Sequence, residues 1–171
     1  MDPRESRPIT QERMSDAVRS VVNAAPSAES QAFRLTTVDA SGWPHGAQLG
    51  PGEVLCSGDD RILLALWPGS RTTANLRRDG RALLTVIAEG SVHEVRLHAT
   101  AAPPPAAHAA LAWFEAVVEA TETHRAAYAT VLCGVTYRLT DPSGTLPRFN
   151  RQREALHALG TRPTTPPTGQ T

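Results

Sequence analysis

The sequence predicts an α+β fold built on an antiparallel β-barrel with flanking helices. Three observations carry that reading: a set of short runs with strand character, connections of hairpin length between several of them, and only a few helical stretches. A parallel α/β sheet needs a helix between most strands, and this chain does not supply them.

Residues 1–9 are polar and are expected to form a flexible N-terminus. Residues 10–160 read as one domain, and 161–171, rich in Thr and Pro, as a disordered tail. From Thr10, the expected cap, Met14, Ala17, Val18, Val21 and Val22 recur at helical spacing and stop before Pro26. The period then changes. Phe33 to Val38 is a strand run that ends in the turn cluster Asp39-Ala40-Ser41-Gly42. Trp43-Pro44-His45 leads into the small-residue stretch Gly46 to Gly50, where a ligand could approach the backbone closely. Glu53 to Cys56 and Arg61 to Trp67, separated by Ser57-Gly58-Asp59-Asp60, read as a hairpin. Ser70 caps a short helix over Arg71 to Arg78, closed by Gly80. Arg81 to Ile87 and Val92 to Ala99 are strands joined through Ala88-Glu89-Gly90-Ser91. After Pro103-Pro104-Pro105, a long helix is expected over 106–123, with Ala107, Leu111, Phe114 and Val118 on one face. Val131 to Leu139 reads as a last strand and Arg148 to Leu159 as a terminal helix.

The 171 residues carry 17 basic and 17 acidic side chains, and every basic one is arginine. With no lysine there is no lysine Schiff base, no lysine general base and no phosphate loop ending in Lys-Ser/Thr. The 26 alanines and 14 prolines beside this arginine-only set point to a GC-rich coding bias. Zero net charge argues against a general nucleic-acid binder. Cys56 and Cys133 form no Cys-x-x-Cys pair and read as reduced, small apolar residues in strands. No apolar run reaches the length of a membrane span and the N-terminus lacks a signal-peptide core, so a cytoplasmic protein is expected.

The segment from Pro68 to Val86 carries the most chemical information. Gly69-Ser70-Arg71-Thr72-Thr73 sets hydroxyls, a guanidinium and unpaired backbone N–H groups at a helix start, where a phosphate fits. Residues 69–81 hold four arginines against one aspartate. Two readings stand: an anion site in which Arg71 binds bidentately, or an ordinary N-cap with solvated arginines.

In this order and spacing, Val38-Asp39-Ala40-Ser41-Gly42-Trp43-Pro44-His45 and Ser70-Arg71-Thr72…Asn75-Leu76…Asp79…Arg81 resemble the pyridoxamine 5'-phosphate oxidase-like family of FMN-binding split barrels. The resemblance covers roughly residues 10–140. It implies a six-stranded, mostly antiparallel split β-barrel, and a homodimer with two FMN sites at its interface. It also implies phosphate contacts from Ser70, Arg71 and Thr72, with Leu64, Ala65, Leu66 and Trp67 running beside the ring and ribityl chain. Ala47 to Leu49, including Gln48, would form another flank, and Asn75 could reach the cofactor. Many relatives place lysine among these contacts, and arginine can replace it only with a planar fork. The C-terminal substrate segment of the pyridoxamine oxidases proper is not matched. The implied activity is therefore FMN-dependent oxidation or reduction of an unidentified small molecule, with NAD(P)H as hydride partner. A deazaflavin-dependent reductase and a non-catalytic flavin- or haem-binding protein are the alternatives.

No nucleophile–base constellation is visible, which suits chemistry carried by a cofactor. The six histidines show no metal-ligand spacing, and no metal is expected. His93 and His98 have opposite parity on one strand and should face opposite sides. His45 is a candidate donor near the cofactor. Trp43 and Trp67 could stack on a ring, or pack in the core or at the dimer interface. Trp113 reads as structural, and Glu115, Glu119 and Glu122 as a solvated acidic helix face. Asn75 and Arg78 either pair within their helix or reach the cofactor across the dimer.

Overall fold

The computed structural model describes residues 9–105 and 108–161. Residues 1–8 and 162–171 of the expected flexible ends, and Ala106 and Ala107 of the expected long helix, lie outside the described residues. The elements are β1 (Ile9–Gln11), α1 (Asp16–Val22), β2 (Glu29–Gln31), β3 (Phe33–Val38), β4 (Pro44–Leu49), β5 (Val54–Cys56) and β6 (Arg61–Leu66). They continue as α2 (Arg71–Asp79), β7 (Arg81–Ala88), β8 (Ser91–Ala102), β9 (Ala112–His124), β10 (Thr136–Arg138) and α3 (Pro142–Gly160).

The main sheet is antiparallel in the order β4-β3-β7-β8-β9-β6-β5, with β1 added beside β9. It curls into a split barrel whose open edges are β4 and β5, and α1 lies against β7 and β5. The fold is α+β as expected, with eight strands in the main sheet among the described residues where six were expected. The separate pair β2–β10 was not anticipated at the β2 end.

Alternation along the strands builds the core. On β3, Phe33, Leu35 and Thr37 are buried while Arg34 is exposed. With Leu84, Val86, Val95, Leu97 and Phe114 they fill the barrel, and Val18 and Val22 of α1 join them. Burial of each such aliphatic side chain contributes about 1.5–3 kcal/mol. A second cluster forms outside the barrel, where Ala155, Leu156 and Leu159 of α3 cover Leu55, Leu63, Ala65 and Trp113. This explains the unbroken apolar run of β6: Ile62, Leu64 and Leu66 face the barrel, Leu63 and Ala65 face α3.

The largest departure from expectation is β9. Of the stretch expected to be a helix over 106–123, everything from Ala112 onward is a central strand, paired with β8 on one side and with β6 and β1 on the other. Leu111, Phe114 and Val118 mimic helical spacing, and the alanines and glutamates favour a helix locally. Partners on both edges override that preference and satisfy every second backbone group in turn. A bulge between Arg96 and Leu97 of β8 skips one residue of β9 at Glu119 and shifts the parity of the long strand.

Smaller corrections follow the same logic. Thr10 lies in β1, and Ser15 caps α1, its hydroxyl accepting from Val18 N. Of Val131 to Leu139 only Thr136–Arg138 is strand. The terminal helix starts earlier, at Pro142 behind the Asp141 cap, and tolerates Pro147 in its first turns. Cys56 is buried in β5, whereas Cys133 is exposed and outside any strand. Glu115 and Glu122 sit on β9, paired with Arg61 at 3.5 Å and Arg96 at 2.6 Å, and so do not form a helix face. Trp113 is buried, its indole N–H donating to the His108 carbonyl at 3.1 Å. Among the described residues, no helix is long and apolar enough to cross a membrane.

Candidate functional site

The turn between β6 and α2 is built by its own side chains. Ser70 adopts an extended backbone (φ −77°, ψ 151°) and caps α2, its Oγ accepting from Thr73 N at 3.1 Å. The Ser70 hydroxyl donates to Thr73 Oγ1 at 3.0 Å, and the Thr73 hydroxyl donates to the Trp67 carbonyl at 2.8 Å. Ser70 N donates to the same carbonyl at 3.1 Å. The cap thus consumes both hydroxyls and the third helical N–H, while Ala74 N bonds the Ser70 carbonyl. The N–H groups of Arg71 and Thr72 are the two left open by this geometry among the described residues, and they point out of the helix start. Arg71 is exposed beside them, and Thr72 is buried.

Trp67 stands at the edge of this turn, 67% exposed, with its indole nitrogen 3.4 Å from where a Cβ on Gly69 would lie. Trp43, at the β3–β4 turn, is 72% exposed. Neither indole is in the core of the chain, so of the packing readings only an interface remains beside stacking.

The β3–β4 turn lies next to the helix. Asp39 accepts from Ser41 N at 2.8 Å and Trp43 N at 3.0 Å. These bonds, led by that from Trp43, together with Arg71 and Arg78, hold its carboxyl below the usual carboxylate range. Arg78 donates to the Val38 carbonyl and, at 3.3 Å, to Asn75 Oδ1. Asn75 is buried and donates to Thr37 Oγ1 at 2.9 Å, and the Thr37 hydroxyl donates to the His45 carbonyl at 3.4 Å. Of the two readings for Asn75 and Arg78, pairing within the helix is what the structure contains.

The expected site residues thus divide. Trp67, Ser70, Arg71 and Thr72 share one turn, and Asn75 sits on the buried face of the same helix. Leu64 and Leu66 are in the barrel core and Ala65 lies under α3, so their side chains are occupied. On β4, His45 and Ala47 sit opposite Thr37 and Leu35 on the barrel side. Gln48 alternates with them and is exposed on the outer face. His45 is half-buried on this open edge.

His93 is buried, with Nε2 at 3.2 Å from the Ala88 carbonyl and Nδ1 at 3.1 Å from Thr123 Oγ1, while His98 is exposed on the other face, as parity requires. Glu94, Glu122 and His124 form a cluster that linear spacing does not reveal, because cross-strand register assembles it: Glu94 is directly opposite Glu122. His124 Nε2 lies 3.4 Å from Glu94 and 3.8 Å from Glu122, and Arg96 also pairs with Glu122.

Comparison with known proteins adds the family. Residues 14–136 match the model of the pyridoxamine 5'-phosphate oxidase family. The uncharacterized protein YclD of Bacillus subtilis strain 168 is 32% identical over 146 residues, covering 84% of this chain and 95% of that protein. Among solved structures, a candidate pyridoxamine 5'-phosphate oxidase of Lactobacillus delbrueckii aligns with a TM-score of 0.55 at 11% identity, over 67% of this chain and 97% of its own. A point variant of HupZ from Group A Streptococcus aligns with a TM-score of 0.53 at 16% identity, over 65% of this chain and 99% of its own. At these identities the two structures establish the shared fold.

Proposed function

The chain belongs to the pyridoxamine 5'-phosphate oxidase family, a family of flavin-type oxidoreductases, and from that premise we propose that it is an FMN-dependent oxidoreductase acting on a small molecule. The observation that carries the reading is the start of α2. Two open backbone N–H groups, the positive end of a nine-residue helix and the exposed Arg71 guanidinium meet there. A dianionic phosphate matches that donor set, and no lysine is needed to complete it.

In this reading Arg71 clamps the phosphate through its planar fork, and the Arg71 and Thr72 N–H groups donate to it. Ser70 and Thr73 hold the turn without touching the phosphate, because their hydroxyls serve the cap. Bound FMN supplies hydride acceptance and donation, with NAD(P)H as the second hydride partner. Trp67 offers an apolar face beside the turn, and the β4 edge brings His45 within the same region as a donor. Leu64, Ala65 and Leu66 contribute by fixing the strand that carries Trp67.

Native mass spectrometry of purified protein and an FMN titration test this. Micromolar or tighter FMN binding is expected, and Arg71→Glu should weaken it about 10- to 100-fold, the value of one or two charge-assisted hydrogen bonds. Unchanged affinity in that variant would remove the phosphate from this turn. A deazaflavin or a haem in the extracted ligand would replace FMN as the cofactor.

A further inference from the structure

We propose that Asn75 is a positioning residue that fixes the anion-holding start of α2 relative to the edge strand β4, so that one cofactor can engage both. The inference rests on the FMN reading above.

Asn75 is 3% exposed and Thr37 1% exposed, and both sit where an apolar pair would bury well. Asparagine is a poor helix former, and burying its amide is costly unless it is bonded. Here it is bonded on both ends, donating to Thr37 Oγ1 at 2.9 Å and accepting from Arg78 Nη1 at 3.3 Å. Thr37 passes the connection on, since its hydroxyl donates to the His45 carbonyl on β4 at 3.4 Å. Arg78 closes the other side by donating to the Val38 carbonyl.

The result is a transverse chain, helix to β3 to β4, made of directional bonds. Apolar packing lets a helix slide by fractions of an ångström, whereas a satisfied polar network admits one arrangement. Arg71 lies four residues before Asn75, one turn back along the helix, so the angle set at Asn75 determines where the guanidinium points. The lowered pKa of Asp39, to which Arg71 and Arg78 both contribute, agrees with the hairpin tip lying beside the helix.

A ligand with a phosphate at one end and a ring at the other gains affinity from both contacts only if their separation is preset. Breaking the Asn75–Thr37 bond leaves the Ser70 cap and the β3–β4 ladder in place. Each half-site then keeps its own ligand, and the linkage between them loosens.

The test compares FMN, riboflavin and inorganic phosphate by calorimetric titration of the full chain. The variants are Asn75→Ala, which favours the helix, Thr37→Val, which keeps the shape of the threonine, and Thr37→Ser, which keeps the hydroxyl. Asn75→Ala and Thr37→Val should each weaken FMN about tenfold, the loss of one buried hydrogen bond. Riboflavin and phosphate should stay within about twofold, Thr37→Ser should bind like the wild type, and the double variant should be no weaker than either single one. FMN binding unchanged in both single variants overturns the positioning role alone. So does a parallel fall of all three ligands together with Tm, which marks general destabilisation. Absence of FMN binding by the wild-type chain overturns the functional reading and this inference with it.

Discussion

Glu53 shows how a single carboxylate can oppose the fold it sits in. It is half-buried at the β4–β5 turn, and its Oε2 accepts from Gly50 N at 2.7 Å. Burial raises its pKa, and the Gly50 bond and the Arg148 charge only partly offset this. A group whose folded pKa lies above its unfolded value adds stability below the unfolded pKa and loses it as pH rises through the folded one. At pH 7 the ionised Glu53 is therefore worse accommodated in the native state than in the unfolded chain. Glu53→Gln, which keeps an oxygen for Gly50, should raise Tm at pH 7 by about 2 °C and change it little at pH 4. Equal gains at both pH values in thermal melts would show that charge is not the cause. Local sequence announces a cap such as Ser70 because the groups it serves are three residues away. The Glu53 bond to Gly50 is just as local, but the burial of its turn is not: it comes with the Phe149 ring of α3, far along the chain, which would meet a Cβ on Gly50 or Gly52.

Among the elements, α2 and β9 mark the two ends of legibility. The limits of α2 are written into its residues: Ser70 at the start and Gly80 at φ +75° at the stop, with Gly80 N bonding the Leu76 carbonyl. That glycine also makes a close approach, since a Cβ there would lie 2.7 Å from the Ala99 carbonyl of β8. Gly42 has a similar φ of +85°, and among the described residues nothing lies within 4 Å of where its Cβ would be. Gly42→Ala should cost about 1 kcal/mol, the left-handed penalty alone. Gly80→Ala should cost about 2 kcal/mol or more, with the steric term added. Chemical denaturation of the two variants measures the difference, and equal losses would mean that β8 yields to the methyl group. The identity of β9 was not legible, because its alanines and glutamates describe a helix and its partners are far away in sequence. His98 and Val117 meet across 19 residues and Arg61 and Val117 across 56. Only the aromatic and β-branched content of Trp113, Phe114, Val117, Val118, Thr121 and Thr123 argued for a strand, and tertiary pairing decided it.

For the whole molecule, the barrel followed from hairpin-length links, while the three-residue strands β1 and β10 are too short to carry a periodic signal and exist only through their partners. The chain leaves two tryptophans largely in solvent, Trp43 at the β3–β4 turn and Trp67 at the proposed cofactor turn. An aromatic side chain of this size contributes roughly 150–250 Å² of apolar surface when buried. The homodimer that the family resemblance implies, with cofactor sites completed at its interface, would cover them with a second copy of the chain. Sedimentation should then give twice the 18.3 kDa chain mass, and FMN affinity should fall on dilution as the dimer dissociates, because ligand and subunit binding are linked. Trp43→Asp places a charge in the covered region and should move both transitions together to higher protein concentration. A monomeric Trp43→Asp variant that binds FMN as tightly as the wild type would separate the two events and confine the cofactor to a single chain, held by Arg71 and the start of α2 alone.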